Sequence, residues 1–173
     1  MAHTPRTATV PVAADAARWR RSRAGEVTLD EVSKLIIEQL QQDGRRSYTA
    51  IGRAVGLSEA GVRQRVQRLI DGGVIQIVAV TDPMMLGFHR QTMIGIKCSG
   101  DLEQVASQLA EIDELDYVVI TSGSFDLLVE VVCEDDDHLV EILSQVREIP
   151  AVTSTETFVY LKLHKQTYSW GTR

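Results

Sequence analysis

Cysteine is scarce in this chain, with two residues among 173, and neither shares a metal-ligand spacing with any of the four histidines. A disulfide-stapled scaffold and a zinc site are therefore not expected, and Cys98 and Cys133 are predicted to be free thiols. No apolar run approaches the ~18 residues that a membrane-spanning helix needs. An N-terminal apolar signal core is also missing, so we predict a cytoplasmic protein.

Positive charge is in short supply overall, since 18 basic side chains stand against 24 acidic ones for a net charge of −6. Its distribution is uneven. Residues 1–28 carry a charge of +3, residues 29–82 are neutral, and residues 83–173 carry −9. Because a nucleic acid cannot lie against the acidic part, the asymmetry predicts two domains with different tasks.

Residues 1–26 show little periodicity and are predicted to form a flexible basic arm. Within it, Ala16–Arg23 (AARWRRSR) either forms a short helix or remains a disordered tail. A helix here would dock Trp19 on a partner or lay arginines on phosphates.

Ordered structure is predicted from Thr28, which forms a capping box with Glu31, while Val27 and Val32 occupy the positions of a hydrophobic staple. This helix is expected to run to about Gln42, and Asp43-Gly44 is expected to end it.

A second helix is predicted over Tyr48–Val55, burying Ile51, Ala54 and Val55 and ending at Gly56. Ser58 is placed to cap a third helix, whose apolar stripe at 100° per residue comprises Val62, Val66, Leu69 and Ile70. Leu57, in the turn, is expected to anchor both helices. The apolar segment Val74–Val80 then predicts a strand, as a wing or a dimer connector.

The face opposite the stripe of the third helix combines small and polar residues, namely Ala60, Gly61, Gln64, Gln67 and Arg68, with Arg63 and Arg65 on its flanks. Six arginines stand against the single acid Glu59 between Gly44 and Ile70, a local charge of +5. Small residues let the backbone approach base edges, and glutamine and arginine read adenine and guanine with paired hydrogen bonds. A solvated face without a partner is the alternative. The predicted DNA-binding residues are Arg45, Arg46, Tyr48, Arg53, Ser58, Glu59, Ala60, Gly61, Arg63, Gln64, Arg65, Gln67 and Arg68.

The second half alternates strands and helices in the order β-α-β-β-α-β, which is the ferredoxin-like arrangement of an antiparallel sheet with both helices on one face. The predicted elements are strand Gln91–Cys98, helix Asp101–Ile112, strands Tyr117–Thr121 and Phe125–Cys133, helix Glu134–Glu148 and strand Val152–Leu163. Cys98 and Cys133 are expected to end neighbouring parallel strands and to lie close together.

The acidic run Glu134–Asp137 invites a metal-binding hypothesis. Its position at a predicted helix start favours a simpler account, because carboxylates stabilise the positive end of a helix dipole. We therefore predict no metal site here. No cofactor or catalytic residue is predicted either.

The segment Leu29–Gln76 resembles the helix-turn-helix domain of the Lrp/AsnC family, through its Leu-Asp opening, the GLS turn, the arginine-rich helix and the G-V-I exit. TSGSFD, Thr121 to Asp126, resembles the turn of that family's effector domain. The resemblance covers about Val27 to Leu163. The long leader and the tail KQTYSWGTR lie outside it and are similar to those of an actinobacterial branch associated with alanine metabolism.

The resemblance implies an α+β protein with a winged helix-turn-helix domain followed by a ferredoxin-like domain for effector sensing and oligomerisation. The implied division is an arm (1–26), a DNA-binding domain (27–74), a linking strand and hinge (75–90), a sensing domain (91–164) and a tail (165–173). Dimers that assemble to octamers are expected, with an amino acid bound between subunits. The implied effector-binding residues are Thr121, Gly123, Ser124, Phe125, Asp126, Thr153, Thr155 and Glu156.

These observations predict a nucleoid-associated regulator of transcription that binds double-stranded operator DNA as a dimer and responds to an amino acid. Two alternatives remain. Haem-pathway decarboxylases share both halves of the fold, although the scattered histidines and acidic second half do not suit a tetrapyrrole pocket. A DNA-organising protein without a ligand would use the same interfaces.

Overall fold

The computed structural model describes residues 29–173. This part of the chain begins with three helices. They are α1 Glu31–Gln42, α2 Tyr48–Val55 and α3 Glu59–Asp71. Each begins after a side chain that accepts a hydrogen bond from a backbone N–H three residues later, supplied by Asp30, Ser47 and Ser58 respectively. Gly56 ends α2 in the left-handed conformation (φ 75°), which glycine adopts without strain. The predicted bounds of α2 and the Ser58 cap are confirmed.

The predicted start of α1 is wrong. Asp30 is the N-cap, because its carboxylate accepts the Ser33 N–H at 2.8 Å while its backbone is extended. The helix therefore begins at Glu31, and the Thr28–Glu31 capping box is not the device that starts it. The proposed staple partner Val27, Thr28 and the Ala16–Arg23 segment lie outside the described residues.

The three helices enclose a small core in which Ile36, Ile51, Val62 and Val66 are buried, with Leu57 packed against them. Leu57 thus anchors the turn as predicted. Ala54 is exposed rather than buried, because it lies on the outer side of α2.

No strand forms between α3 and Arg90, a segment that the structure describes throughout. The predicted strand Val74–Val80, and with it the wing, is therefore wrong for the single chain, since a strand needs a ladder partner for its backbone groups. A 3-10 helix, Pro83–Leu86, follows and ends at Gly87.

The second half forms one four-stranded sheet with two helices. Its elements are β1 Arg90–Cys98, α4 Leu102–Leu109, β2 Leu115–Ile120, β3 Leu127–Cys133, α5 Asp136–Glu148 and β4 Val152–Val159. The strand order is β2-β3-β1-β4 and every pair is antiparallel. The ferredoxin-like prediction is confirmed.

The expected proximity of the two cysteines is wrong. β1 and β3 are antiparallel, so Cys133 faces Arg90 while Cys98 lies at the other end of β1. Both thiols are free. Burial raises the pKa of Cys133 to about 11, and burial likewise raises that of Cys98.

A fully buried apolar core lies between the sheet and its two helices. It includes Ile94, Ile96, Val129 and Ile142. Register places Met93, Leu128 and Phe158 on the opposite side. On that outer face the Phe125 ring covers Gly95, and Phe158 remains 43% exposed. The last strand ends at Val159 instead of Leu163, and Leu161 is 95% exposed.

The acidic run at the start of α5 serves as a cap. Asp135 accepts the His138 N–H at 2.8 Å, and Asp136 forms an ion pair with Arg90. Within residues 29–173, no group of three acidic, histidine or cysteine side chains is arranged to hold a metal ion. The helices found there are also too short and too polar to cross a bilayer.

The described residues fall into two units. One comprises the chain up to Ala79 together with Gln166–Arg173, and the other comprises Val80–Lys165. In the first unit the tail Gln166–Arg173 contacts α1, where Thr172 donates a hydrogen bond to Glu38 and Ser169 donates one to Gln41.

Candidate functional site

The turn between α2 and α3 is closely packed. The Leu57 N–H donates to the Gly52 carbonyl at 2.9 Å, and a Cβ at Gly52 would lie 2.5 Å from the Leu57 oxygen. Only glycine fits this approach. The turn therefore fixes how α3 leaves α2.

The faces of α3 predicted from helical spacing are those observed. Val62, Val66 and Leu69 are buried, Ile70 is half-buried, and the opposite face exposes Ala60, Gln64, Gln67 and Arg68. Gly61 is half-exposed in the first turn, where its N–H donates to the Ser58 hydroxyl at 3.2 Å. The Gln67 amide donates to Asp71 at 3.0 Å. This face is small near its N-terminal end and polar along its length.

Arg63 is held on the flank of α3 by two helices. Its guanidinium donates to Glu59 at 2.9 Å and lies 5.2 Å from the centroid of the Tyr48 ring on α2. The Thr49 hydroxyl donates to the other oxygen of Glu59 at 2.7 Å. Hydrogen bonds from Thr49 and Arg63 lower the pKa of Glu59.

Arg65 points the other way, towards α1. Its guanidinium donates to the Asp30 carboxylate at 2.6 Å and to the Ser33 hydroxyl at 3.1 Å. Hydrogen bonds from Ser33 and then Arg65 lower the pKa of Asp30 to about 2. Both flanking arginines are thus engaged by side chains of the domain, Arg65 on the α1 side and Arg63 on the α2 side.

The remaining basic candidates precede α3. Arg45 is exposed in the α1–α2 connection, and Arg46 beside it is half-buried. Arg53 is exposed in the last turn of α2.

The predicted effector turn is held by its own hydrogen bonds. Asp126 accepts the Cys98 N–H at 2.8 Å, and the Thr121 hydroxyl donates to the Phe125 carbonyl. The Phe125 ring covers Gly95, where a Cβ would lie 2.7 Å from ring carbons. Gly123 and Ser124 are exposed at the tip.

The predicted residues on β4 do not share one surface. Thr155 accepts a hydrogen bond from Arg147 of α5 at 3.0 Å, so it faces the helices. Glu156, one residue on, pairs in register with Gly95 and belongs to the outer face. The Thr153 hydroxyl donates to the Lys97 carbonyl at 3.0 Å. None of the eight candidates lines the cavity of about 450 Å³ at the C-terminal ends of α4 and α5.

Both halves of the chain match models of known protein families. Residues 29–70 match a family model described as an AsnC-type helix-turn-helix domain, and residues 89–173 match one described as a C-terminal dimeric alpha+beta barrel domain. The HTH-type transcriptional regulator FL11 of Pyrococcus horikoshii is 36% identical over 143 residues, covering 82% of this chain and 95% of its own. The chain belongs to the Lrp/AsnC family of transcriptional regulators.

Solved structures of other Lrp/AsnC proteins share the fold. The leucine response regulatory protein LrpA of Mycobacterium tuberculosis matches with a TM-score of 0.76 at 22% identity, over 83% of this chain and 100% of its own. The regulator NMB0573 of Neisseria meningitidis, solved as an L-Met complex, matches with a TM-score of 0.71 at 23% identity, over 81% and 94%. The match of the C-terminal Lrp/AsnC model through residue 173 also corrects the expectation that the tail lies outside the resemblance.

Sequence reasoning missed two residues of this Lrp/AsnC site, Asp30 and Thr49. Their partners Arg65 and Glu59 lie 35 and 10 positions away, beyond the reach of helical periodicity. In the sequence, only the four-residue spacing of Glu59 and Arg63 indicates one of these contacts, an ion pair within a helix.

Proposed function

We propose that this Lrp/AsnC regulator binds operator DNA in the major groove through the exposed face of α3. The observation that carries the proposal is the arrangement of that face, where Ala60 and Gly61 precede Gln64, Gln67 and Arg68 on a helix whose other side is buried. Glutamine and arginine supply the paired donors and acceptors that distinguish base edges. Arg53 and Arg63 are exposed beside this face and suit contacts to phosphates.

The first test measures affinity for a duplex enriched by the wild-type protein from a random-sequence pool. The combined change Arg63→Ala and Arg68→Ala should weaken binding and reduce the slope of log affinity against log salt by about 0.9, if Arg63 neutralises one phosphate and Arg68 contacts a base. Arg147→Ala removes an arginine of the other unit and serves as the matched control. Unchanged affinity in the double variant would exclude α3 as the reading helix.

We further propose that two copies associate through the outer sheet face. Met93, Leu128 and Phe158 lie on this face, and Phe158 is 43% exposed in the single chain. Burying such a surface is favourable, and the matched family model is described as a dimeric barrel. Association would bring two copies of α3 to one duplex, as a palindromic operator requires.

Sedimentation velocity tests this assembly, including the predicted octamer. Leu128→Lys introduces a charge into the outer face and should shift the protein towards monomer. Val140→Lys, at a 60% exposed valine on α5, is the matched control and should leave the distribution unchanged. A Leu128→Lys variant that sediments like the wild type would contradict the proposed interface.

The proposed effector is an amino acid bound near the turn that carries Asp126. Gly123 and Ser124 are exposed there, and the neighbouring N. meningitidis structure was solved with L-Met. A ligand that binds only the native state raises the unfolding midpoint, so a thermal shift screen of the twenty amino acids identifies it. Asp126→Asn preserves an acceptor for the Cys98 N–H and should abolish that shift. A flat response of the wild-type protein to all twenty would contradict amino-acid sensing.

A further inference from the structure

We infer that Glu59 is a positioning residue that sets the sequence discrimination of DNA binding by holding the Arg63 guanidinium against Tyr48. The inference rests on the proposed DNA-binding function. It gives Glu59 a role distinct from direct contact with bases.

Both carboxylate oxygens of Glu59 are engaged by neighbouring side chains. One accepts from Arg63 at 2.9 Å on the same helix, and the other accepts from Thr49 at 2.7 Å on α2. Because the anchor comes from a second helix, Glu59 is fixed relative to the α2–α3 pair as a whole. The carboxylate therefore has a defined position before DNA arrives.

Two side chains contact the Arg63 guanidinium, and the rest of this group is exposed to solvent. The Tyr48 ring lies 5.2 Å from its guanidinium carbon, Glu59 takes one of its N–H groups, and the side chain is still 65% exposed. Arginine carries five N–H donors in a rigid planar fork, so several remain to face a duplex. The rotamer freedom that a flexible arginine would lose on binding is already restricted here.

The charge of Glu59 opposes binding to any polyanion. Thr49 and Arg63 lower the pKa of the carboxyl, so it stays ionised at neutral pH on the surface that would meet the phosphates. Glu59 therefore acts in two opposite directions. It weakens attraction to DNA of every sequence, and it orients an arginine whose phosphate contact fixes the register of α3, which the base contacts need on the correct sequence.

The experiment compares dissociation constants for the enriched duplex and for a mixed-sequence duplex at one salt concentration. Glu59→Ala should tighten binding to the mixed duplex by about twofold, since one repulsive charge is lost. It should lower the ratio of the mixed-duplex constant to the enriched-duplex constant by about tenfold, if the lost register costs α3 one bidentate base contact. A role limited to folding would weaken both complexes together.

Two further variants separate charge from position. Thr49→Val keeps the charge of Glu59 but removes its anchor, so the ratio should fall without tighter binding to mixed DNA. Glu31→Ala removes an equivalent carboxylate, 84% exposed and paired with Lys34 on α1, and should not change the ratio.

A Glu59→Ala protein that binds both duplexes with the wild-type ratio would overturn the positioning role while leaving DNA binding intact. A Glu31→Ala protein with the same loss of ratio would also overturn it, because the effect would then follow charge alone. If the wild-type protein itself prefers no enriched duplex, the proposed function fails, and the inference fails with it.

Discussion

Replacement of Gly52 by alanine should widen the turn between α2 and α3, which fixes the direction of α3. A Cβ at this buried glycine would lie 2.5 Å from the Leu57 oxygen, 3.4 Å from the Leu57 carbonyl carbon and 3.6 Å from the Ser58 carbonyl carbon. All three are backbone atoms, so no side-chain rotation relieves the contact. Leu57 is further fixed by its N–H bond to Gly52 and by its packing against the helical core.

Two effects of opposite sign decide the outcome. Alanine favours helix over glycine by about 1 kcal/mol, which would stabilise α2. A comfortable carbon–oxygen contact is about 3.3 Å, so Leu57 must move by about 0.8 Å, and overpacking of this kind costs about 1–3 kcal/mol. The clash should win because only backbone movement relieves it, with a net loss of up to about 2 kcal/mol. Such a loss is a large share of the stability of a small domain.

Gly61→Ala is the matched control on the neighbouring helix. Its Cβ would lie 3.4 Å from the Ser58 hydroxyl oxygen and 3.9 Å from the Leu57 Cβ, which are ordinary contacts. This variant should be as stable as the wild type or up to about 1 kcal/mol more stable. It should nevertheless bind the enriched duplex less tightly, because the added methyl group lies where α3 approaches the groove.

Amide hydrogen exchange of α1 to α3 measures the stability, and fluorescence anisotropy measures the affinity. Gly52→Ala should lower both, whereas Gly61→Ala should lower affinity alone. A Gly52→Ala protein with undiminished protection would refute the steric argument. A Gly61→Ala protein with undiminished affinity would refute the close approach of α3 to DNA.

Three further outcomes are expected. Arg68→Ala should weaken binding to the enriched duplex more than binding to a mixed-sequence duplex, while Arg65→Ala should chiefly lower protection of α1 because it breaks the bond to Asp30; the reverse pattern would show that the two roles are exchanged. Asp30 has a folded pKa of about 2 against an ordinary 3.8, so its stabilising effect is complete above pH 3.8 and lost as the pH falls towards 2. Unfolding midpoints of the wild type and Asp30→Asn should therefore converge at that acidic end. Iodoacetamide at pH 8 should label the half-buried Cys98 before the buried Cys133, and equal labelling rates would contradict the burial of Cys133.

The elements best predicted from the sequence were those whose signals are local. α2 and the Ser58 cap followed from turn residues and helical spacing within a few positions. The start of α1 could not be chosen this way, because Thr28 and Asp30 are both good N-cap residues. Asp30 is used, and its carboxylate also binds Arg65, 35 positions along the chain.

Pairing between distant segments explains the other differences. The apolar pattern of residues 74–80 is typical of a strand, but the described part of the chain, residues 29–173, forms no ladder with it. The sequence predicted an effector turn at residues 121–126, whereas the bond from the Cys98 N–H to Asp126 depends on how β1 lies beside the turn. The outward direction of Arg63 was predictable, but its contact with Tyr48 and the bond from Thr49 to Glu59 were not.

Because the tail contacts α1, the first unit can be completed only after the tail has been synthesised. Thr172 and Ser169 bind Glu38 and Gln41 across 134 and 128 positions of sequence. During synthesis α1 leaves the ribosome long before these partners exist, although domains near the N-terminus generally fold first. A fragment that stops after α3 would reproduce only this earlier state. The first unit includes residues 166–173, so a tag fused after Arg173 would be attached beside α1.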